Sequence, residues 1–492
     1  MIVRRAGNSG FRRLGVPVLC AALGFAGAGA GAHGQTANAA NPSSASNPFY
    51  GSVTAHPVNN DVLKLSLDDA VRMGLQNNLG LKEAENGEKA IRGEKNEALQ
   101  LFLPTISLSG GTGVYQHDLA ALGFGPGAIS KIGSLFPGGL PAGFSGITKD
   151  DLTQGQINFN ETLFSGPVIA GWRAAGAAER VAYFAKMSAR GEVVQDVATA
   201  YLHVIADASE VDNASAQEAA DQVLLSQEHA AHEAGTAANL DELRARVQLQ
   251  AQQQTLIAAQ NAMEKDLILL KREIGVDPGQ KIQLTDPAPY SDLAALTPDE
   301  VREEAYKNRQ DYQNLQNQVV EYKAVHGAYR SQRLPTLKFA GNWGVDTVNG
   351  AGTHGNFEAI GTLSVPIFRE ARLRGDEDAA AAQLAAVSAQ LANLRGRIDE
   401  QVRDALLDVG AEGKLVEVAR SNVDLATRAL SDETDRVNAG VDDNLPLVTA
   451  QATLASAQSN LVDSLYRYNL AKLSLARATG VIELQYRVYL GR

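Results

Sequence analysis

The sequence has almost no cysteine, few aromatic residues and no long apolar run beyond its first 32 residues. Its only cysteine, Cys20, lies within the N-terminal apolar stretch, so the rest of the chain has neither disulfides nor thiolate metal sites. Aromatic residues make up 6% of the chain, which suits long packed helices better than a thick globular core. Because no run of about 18 apolar residues follows, a transmembrane helix is not expected.

The first 32 residues have the organisation of a secretory signal peptide. Four arginines precede an apolar stretch at residues 14–28, and the small residues Ala30-Gly31-Ala32 follow where cleavage would occur. A membrane anchor is the alternative, but the stretch is short and rich in glycine. Cleavage would change the formal net charge from −12 to about −16, which argues against a nucleic-acid-binding protein.

The remaining chain is an internal duplication organised around two Leu-Pro-Thr steps. Leu103-Pro104-Thr105 and Leu334-Pro335-Thr336 lie 231 residues apart, and each ends a helical pattern and starts an alternating strand. At this offset, residues 65–105 align with residues 296–336 without a gap. Each copy therefore has the order helix, strand, strand, very long helix, tip, helix.

The duplication also divides the chain into segments. Residues 33–62 are rich in Asn, Ser, Ala and Pro, which favours a flexible arm. We expect a signal peptide at 1–32, the arm at 33–62, a first repeat at 63–277, a linker at 278–295, a second repeat at 296–482 and a C-terminal tail at 483–492.

Each copy contains two strands in which apolar and polar residues alternate. They are predicted at 105–117 and 152–164, joined by a long surface loop at 118–150, and at 336–348 and 357–366. A length of about ten residues matches a strand that crosses an outer membrane, although a two-layer soluble sheet would alternate in the same way. Four strands cannot close a barrel, and lipid does not tolerate open edges, so a membrane location requires several chains to share one barrel.

Two very long helices follow the strand pairs. Residues 168–231 and 370–438 are free of proline and rich in helix formers, and each segment spans on the order of 100 Å. Helices of this length are stable only when packed in coiled coils. Gly235 and Gly440 would end them. Each glycine is followed by a shorter return helix, which would stack end to end on an opening helix of about 36 residues. The stacked pair has the same total length as one long helix, as a wall of antiparallel helices requires.

Four motifs occur in the order in which a known family carries them. They are Leu65-Ser66-Leu67-Asp68-Asp69-Ala70 with Asn77-Asn78, the two Leu-Pro-Thr steps, Val365-Pro366-Ile367-Phe368, and Ala439-Gly440-Val441-Asp442-Asp443-Asn444-Leu445 with Ala450-Gln451. With these residues the chain resembles the TolC-like outer-membrane efflux proteins of Gram-negative bacteria. The resemblance implies a mainly α fold with β: duplicated antiparallel coiled-coil helices form a periplasmic α-barrel, and four strands per chain contribute to a trimeric 12-stranded outer-membrane β-barrel.

The resemblance also implies a function and partners. The expected protein is a homotrimeric exit duct of a tripartite efflux or type I secretion system, with its barrel in outer-membrane lipid. Its expected partners are a periplasmic adaptor (a membrane fusion protein) and an inner-membrane pump of the RND, ABC or MFS type. No catalytic residue, cofactor or nucleic-acid partner is expected.

Finally, the resemblance assigns functional positions at the two tips. The turns at 235–243 and 440–447 match the region that docks the adaptor and gates the tunnel. Asp241 matches an acidic gate residue of some members, and Asp442 and Asp443 are expected to supply negative charge in the second turn, unless these acids simply form the turns. The candidate residues are Gly235, Asn239, Leu240, Asp241, Gly440, Asp442, Asp443, Asn444 and Leu445.

The sequence allows two other interpretations. His229 and His232 lie three residues apart on a helix, but no carboxylate or cysteine cluster adjoins them in the sequence, so no metal site is predicted. The alternative function is an exported periplasmic coiled-coil scaffold or adaptor without a pore. Two equivalent hairpins and amphipathic strands favour the duct, and membrane fractionation would separate the two hypotheses.

Overall fold

The computed structural model describes residues 61–118, 147–235, 238–287, 289–293, 296–348, 352–439 and 444–491, together with residues 47, 49, 51, 52, 58, 59, 128 and 131. All elements named below belong to the unit formed by residues 43–492. The predicted signal peptide, most of the predicted arm and most of the predicted long loop lie outside the described residues.

The described elements follow the order of a duplicated unit. The first half comprises β1 (Leu63–Leu65), α1 (Leu67–Asn77), α2 (Leu79–Gln100), β2 (Thr105–Asp118), β3 (Ile147–Phe164), α3 (Gly166–Glu233), α4 (Asn239–Ile274) and β4 (Ile282–Leu284). The second half comprises α5 (Pro298–Asn308), α6 (Gln310–Ser331), β5 (Thr336–Val348), β6 (Thr353–Ser364), α7 (Glu370–Asn438), α8 (Asn444–Ala478) and α9 (Ile482–Tyr489). The fold is mainly helical with a small share of strand, as predicted.

The opening helix of each repeat, predicted as one helix, is broken once. Ser66 caps α1 by accepting a hydrogen bond from the backbone N–H of Asp69. The chain then leaves the helix at Asn78, whose Oδ1 accepts from the N–H of Leu81 and starts α2. Arg309, at the offset of 231, has an extended backbone between α5 and α6. The single-helix prediction was wrong because local and tertiary hydrogen bonds at these positions outweigh helical propensity.

The four long strands form one antiparallel sheet in the order β2-β3-β5-β6. β3 and β6 begin earlier than predicted because pairing continues outward from each hairpin, as in the pairs Asp118 with Ile147 and Thr347 with Thr353. One row of paired residues across all four strands is apolar: Leu108, Ile157, Trp343 and Phe357. The neighbouring row is polar: Ser107, Asn158, Asn342 and Glu358. The sheet therefore has one apolar and one polar face.

The two long helices have nearly equal lengths. α3 has 68 residues and α7 has 69, which is about 100 Å each. The N-terminal half of α3 packs on α6, where the side chain of Asn314 donates to the backbone carbonyl of Val181. Its C-terminal half packs on α4, where the side chain of Gln252 donates to the carbonyl of Ala214. α7 packs along α8.

None of the helices in the described ranges combines the length and the apolarity needed to cross a membrane.

The main core lies where the short helices meet the middle of α3. It includes fully buried side chains from α1, α3, α4 and α8, and β1 pairs with β4 beside it. The C-terminal end of the chain is part of this core: Ile482, Tyr486 and Leu490, from α9 and the residue that follows it, are buried there. The hydroxyl of Tyr486 donates to Asp68, which joins the C-terminus to α1.

Candidate functional site

The first helix hairpin turns at Gly235. Ala234 closes α3, and the N–H of Gly235 donates to the carbonyl of His232 at 2.9 Å. Gly235 has a φ of 74°, a left-handed conformation that glycine adopts without steric cost after a helix end. Residues 236 and 237 lie outside the described part, and α4 begins at Asn239. The glycine predicted to form the first tip therefore lies at the turn.

The other candidate residues of this tip lie in the first turn of α4. Asn239 is its first residue, and the side chain of Leu240 is 55% exposed. Asp241 accepts a hydrogen bond from Arg244 at 3.2 Å, and its negative charge suits the N-terminus of a helix. Asp241 thus forms an exposed ion pair in this chain, which contributes little stability and leaves its carboxylate accessible to solvent or to a partner.

A buried acid beside Asp241 closes the hairpin, and the sequence did not indicate it. Glu242 is only 8% exposed and accepts a hydrogen bond from Arg246 at 2.9 Å. Across the hairpin, its carboxylate lies 3.3 Å from Nδ1 of His229. Burial, and then the charge of Asp241, raise the pKa of Glu228 on α3. The base of the first tip is therefore built from acidic side chains that are partly withdrawn from water.

The second tip is described only in part. α7 ends at Asn438 and α8 begins at Asn444. The predicted tip residues Gly440, Asp442 and Asp443 lie outside the described residues, and of Asn444 and Leu445 only the backbone is described.

The two hairpins meet just behind their tips. Leu224 of α3, Ala245 of α4 and Leu447 of α8 are each less than a tenth exposed and form one small apolar cluster. Leu430 and Val437 of α7 pack against it. The structure therefore brings together two tips that are far apart in sequence, and the contact that joins them is hydrophobic.

The outer side of the first tip carries an uncovered apolar face. Leu240, Leu243 and Val247 are 55%, 46% and 66% exposed. Their spacing of three and four residues places them along one face of α4. A contiguous exposed apolar face on a helix is typical of a protein–protein contact.

The sequence is similar to a known protein family. It matches the family model described as outer membrane efflux protein over residues 70–276 and 301–481, which are the two repeats. The chain belongs to this family. The resemblance seen in the motifs is thereby confirmed, and membership in this family places the protein in the outer membrane.

Two curated relatives come from Pseudomonas putida. The toluene efflux pump outer membrane protein TtgF and the probable efflux pump outer membrane protein SepC are each 26% identical to this chain over 294 residues. The match covers 58% of this chain and 60% of the length of each relative.

Solved structures of three bacterial membrane proteins share the fold. A membrane protein of Pseudomonas aeruginosa has a TM-score of 0.72 at 20% identity and covers 84% of this chain and 93% of its own. VceC of Vibrio cholerae has a TM-score of 0.69 at 17% identity, with 84% and 96% covered. CmeC of Campylobacter jejuni has a TM-score of 0.69 at 14% identity, with 89% and 92% covered. The predicted fold of the single chain, mainly α with a smaller share of β, is confirmed.

Proposed function

We propose that the protein is the homotrimeric exit duct of a tripartite efflux or type I secretion system. Solutes handed over by an inner-membrane pump and a periplasmic adaptor would diffuse through it and leave the cell. The observation that carries the proposal is the four-stranded sheet, which has an apolar face, a polar face and two outer edges, joined directly to two helical hairpins.

The edges of the sheet favour an assembly of several chains. Among the described residues, β2 and β6 each pair with a neighbour on one side only. Backbone N–H and C=O groups without partners are costly in lipid, so these edges need partners there. Pairing β6 of one protomer with β2 of the next satisfies both edges, and three copies give a closed sheet of 12 strands.

The faces of the sheet fit that closure. Leu108, Trp343 and Phe357 of the apolar row are 81%, 63% and 79% exposed in the single chain. They would contact lipid if this face is turned outward. Asn158 and Glu358, on the polar row, would then line a water-filled interior. An apolar outside and a polar inside are typical of membrane-spanning sheets.

The helical wall also carries an apolar face that awaits a neighbour. Leu407, Leu415, Val418 and Leu425 of α7 are 71%, 48%, 56% and 58% exposed. Their spacing of eight, three and seven residues puts them on one side of the helix, and within the chain α7 packs on α5, α6 and α8. A helix of the next protomer would cover this face and complete a coiled-coil wall.

The tips would dock the adaptor and gate the duct. Leu240 and its exposed neighbours on α4 offer an apolar contact, and Asp241 offers charge. In a trimer, Asp241, Asp442 and Asp443 would form acidic rings near the axis, and Leu445 an apolar constriction.

Solute passage through opened tips tests the function. Leu447→Asp places a charge in the apolar cluster that joins the hairpins and should separate the tips. Purified protein carrying this substitution should pass small solutes into liposomes faster than the wild type in a swelling assay. Thr434→Asp, an exposed position of α7 near the same tip, is the matched control and should behave like the wild type. An intact Leu447→Asp assembly that passes no more solute than empty liposomes would refute the duct.

A further inference from the structure

One histidine and two aspartates converge between α3 and α4, far from the tips. His203 and Asp207 lie one turn apart on α3, and Asp266 faces them from α4. His203 Nδ1 is 2.9 Å from Asp266 Oδ2 and 3.7 Å from Asp207 Oδ2. One possible ligand atom from each residue lies within 4.8 Å of the other two.

We propose that His203, Asp207 and Asp266 bind a divalent transition-metal ion such as Zn²⁺ and thereby cross-link α3 to α4. An imidazole with two carboxylates is a ligand set that suits such ions, and a water molecule can complete four-coordination. At metal–ligand distances of about 2.0–2.1 Å, two ligands of a tetrahedral site lie about 3.3 Å apart. The two measured distances, 2.9 and 3.7 Å, lie on either side of this value.

The three side chains are partly buried and packed, but His203 remains open to solvent. The Oδ2 atom of Asp207 is buried and has no hydrogen-bond partner among the described residues. The ring of Tyr466 from α8 lies 5.1 Å from the ring of His203 and supports it from one side. The side chain of His203 is 43% exposed, so an ion can reach its ring from solvent.

The electrostatics also favour a cation. The carboxylates of Asp207 and Asp266 both lie beside the ring of His203, and the two side chains are 18% and 28% exposed. Two converging carboxylates in a partly buried place repel each other, and a bound divalent ion would offset that repulsion.

The same hairpin contains a second histidine that provides an internal control. His229 also has an acid one turn on, Glu233, and an acid on α4, Glu242. Here the two carboxylates lie at opposite ring nitrogens, with Nε2 3.5 Å from Glu233 and Nδ1 3.3 Å from Glu242. One ion cannot contact both carboxylates and the ring, because the ring lies between them. At His203, by contrast, both carboxylates lie at the same ring nitrogen, Nδ1, and this arrangement distinguishes His203 from His229.

The experiment uses the full mature protein in detergent, purified without a polyhistidine tag and stripped with a chelator. Zn²⁺ is titrated by calorimetry, and the thermal unfolding midpoint is recorded with and without Zn²⁺. We expect one ion per chain and a higher midpoint with Zn²⁺, since an ion that binds only the folded state stabilises it. Mg²⁺, which prefers oxygen ligands alone, should not reproduce the effect.

Variants of the ligands decide the assignment. His203→Gln and Asp266→Asn should each weaken Zn²⁺ binding more than about tenfold, whereas His229→Gln should bind like the wild type. Should either ligand variant fail to fold, Co²⁺ bound to the wild type should still show the visible absorption of a tetrahedral site with a nitrogen ligand. The proposal would be overturned if the wild-type protein bound no Zn²⁺, or if the His203→Gln variant bound Zn²⁺ as well as the wild type. His203 and the two aspartates would then form only an ion pair.

Discussion

At the scale of single residues, the core contains two carboxylic acids whose charges are unfavourable. Burial, and then the charge of Asp196, raise the pKa of Glu273 to about 8. Burial, and then the charge of Glu192, raise the pKa of Asp196 to about 7, and Arg477 opposes that shift. The Oε2 atom of Glu273 and the Oδ2 atom of Asp196 are buried and have no hydrogen-bond partner among the described residues. The folded chain therefore holds protons that the unfolded chain would release.

The pH dependence of stability follows from this pair. A raised pKa makes the folded state bind its proton more tightly, so stability falls as pH rises from the unfolded value of 4.5 towards about 8. Glu273→Gln removes this cost and should raise the unfolding midpoint at pH 9 more than at pH 5. Differential scanning calorimetry at pH 5 and at pH 9 measures the unfolding midpoints of the variant and the wild type. An equal change at pH 5 and pH 9 would contradict the account.

Two positions near the core favour glycine because their backbone is left-handed. Gly275 and Gly480, which occupy equivalent places in the two repeats, both have a φ of 78°. The N–H of Val276 donates to the carbonyl of Lys271, and that of Val481 to the carbonyl of Ala476, so each helix ends in the same turn. An added Cβ at Gly480 would lie 2.7 Å from the backbone of Arg309.

Replacing Gly480 should therefore destabilise the protein. Gly480→Ala should cost at least about 1–2 kcal/mol from the left-handed backbone alone, in addition to the clash with Arg309. Gly87→Ala is the matched control, because Gly87 is an exposed residue of α2 with no atom near its added Cβ. It should stabilise the protein by about 0.5–1 kcal/mol. Thermal unfolding of both variants measures the difference, and equal midpoints would show that the turn tolerates a side chain.

At the scale of elements, the strands could be predicted and the helix breaks could not. Alternation assigns Ile157 and Asn158 to opposite faces without any knowledge of the fold, and the observed register agrees. The break at Asn78 depends on contacts made elsewhere in the chain, since its side chain donates to the carbonyl of Phe49. α9 is missed because eight residues carry too little periodicity, and its burial depends on partners in α8 and α3.

The candidate site likewise has residues whose place could be predicted from the sequence and residues whose contacts could not. Gly235 could be predicted because glycine is the usual residue after a helix end. The pairing of His229 with Glu242 could not, because it depends on which turns of α3 and α4 face each other. The trio of His203, Asp207 and Asp266 has the same origin: its third member comes from the other helix of the hairpin.

The apolar face of the sheet yields a prediction for membrane assembly. Leu108→Arg puts a charge where we expect lipid contact, at a cost of about 2–4 kcal/mol near the membrane centre. Ser107→Arg changes the neighbouring position on the polar row and is the matched control. Outer-membrane fractions washed with urea should contain less protein for Leu108→Arg and a normal amount for Ser107→Arg. Equal amounts of both would mean that the faces are assigned incorrectly.

At the scale of the whole molecule, several surfaces have no partner within the described chain. The outer edges of β2 and β6, the apolar row of the sheet and the exposed face of α7 each fit a second copy or lipid. A periplasmic scaffold without a pore would account for the helices, but it would leave Leu108, Trp343 and Phe357 exposed to water. Closure of three chains into one duct accounts for all of these surfaces together.

The central claim is tested most directly by the location and mass of the native particle. Outer membranes are extracted with detergent, and the purified protein is measured by light scattering corrected for bound detergent. We expect the protein in the outer-membrane fraction and a protein mass of three chains. A single chain recovered from the soluble periplasmic fraction would contradict the account, because the strands would then form an ordinary sheet and no duct would exist.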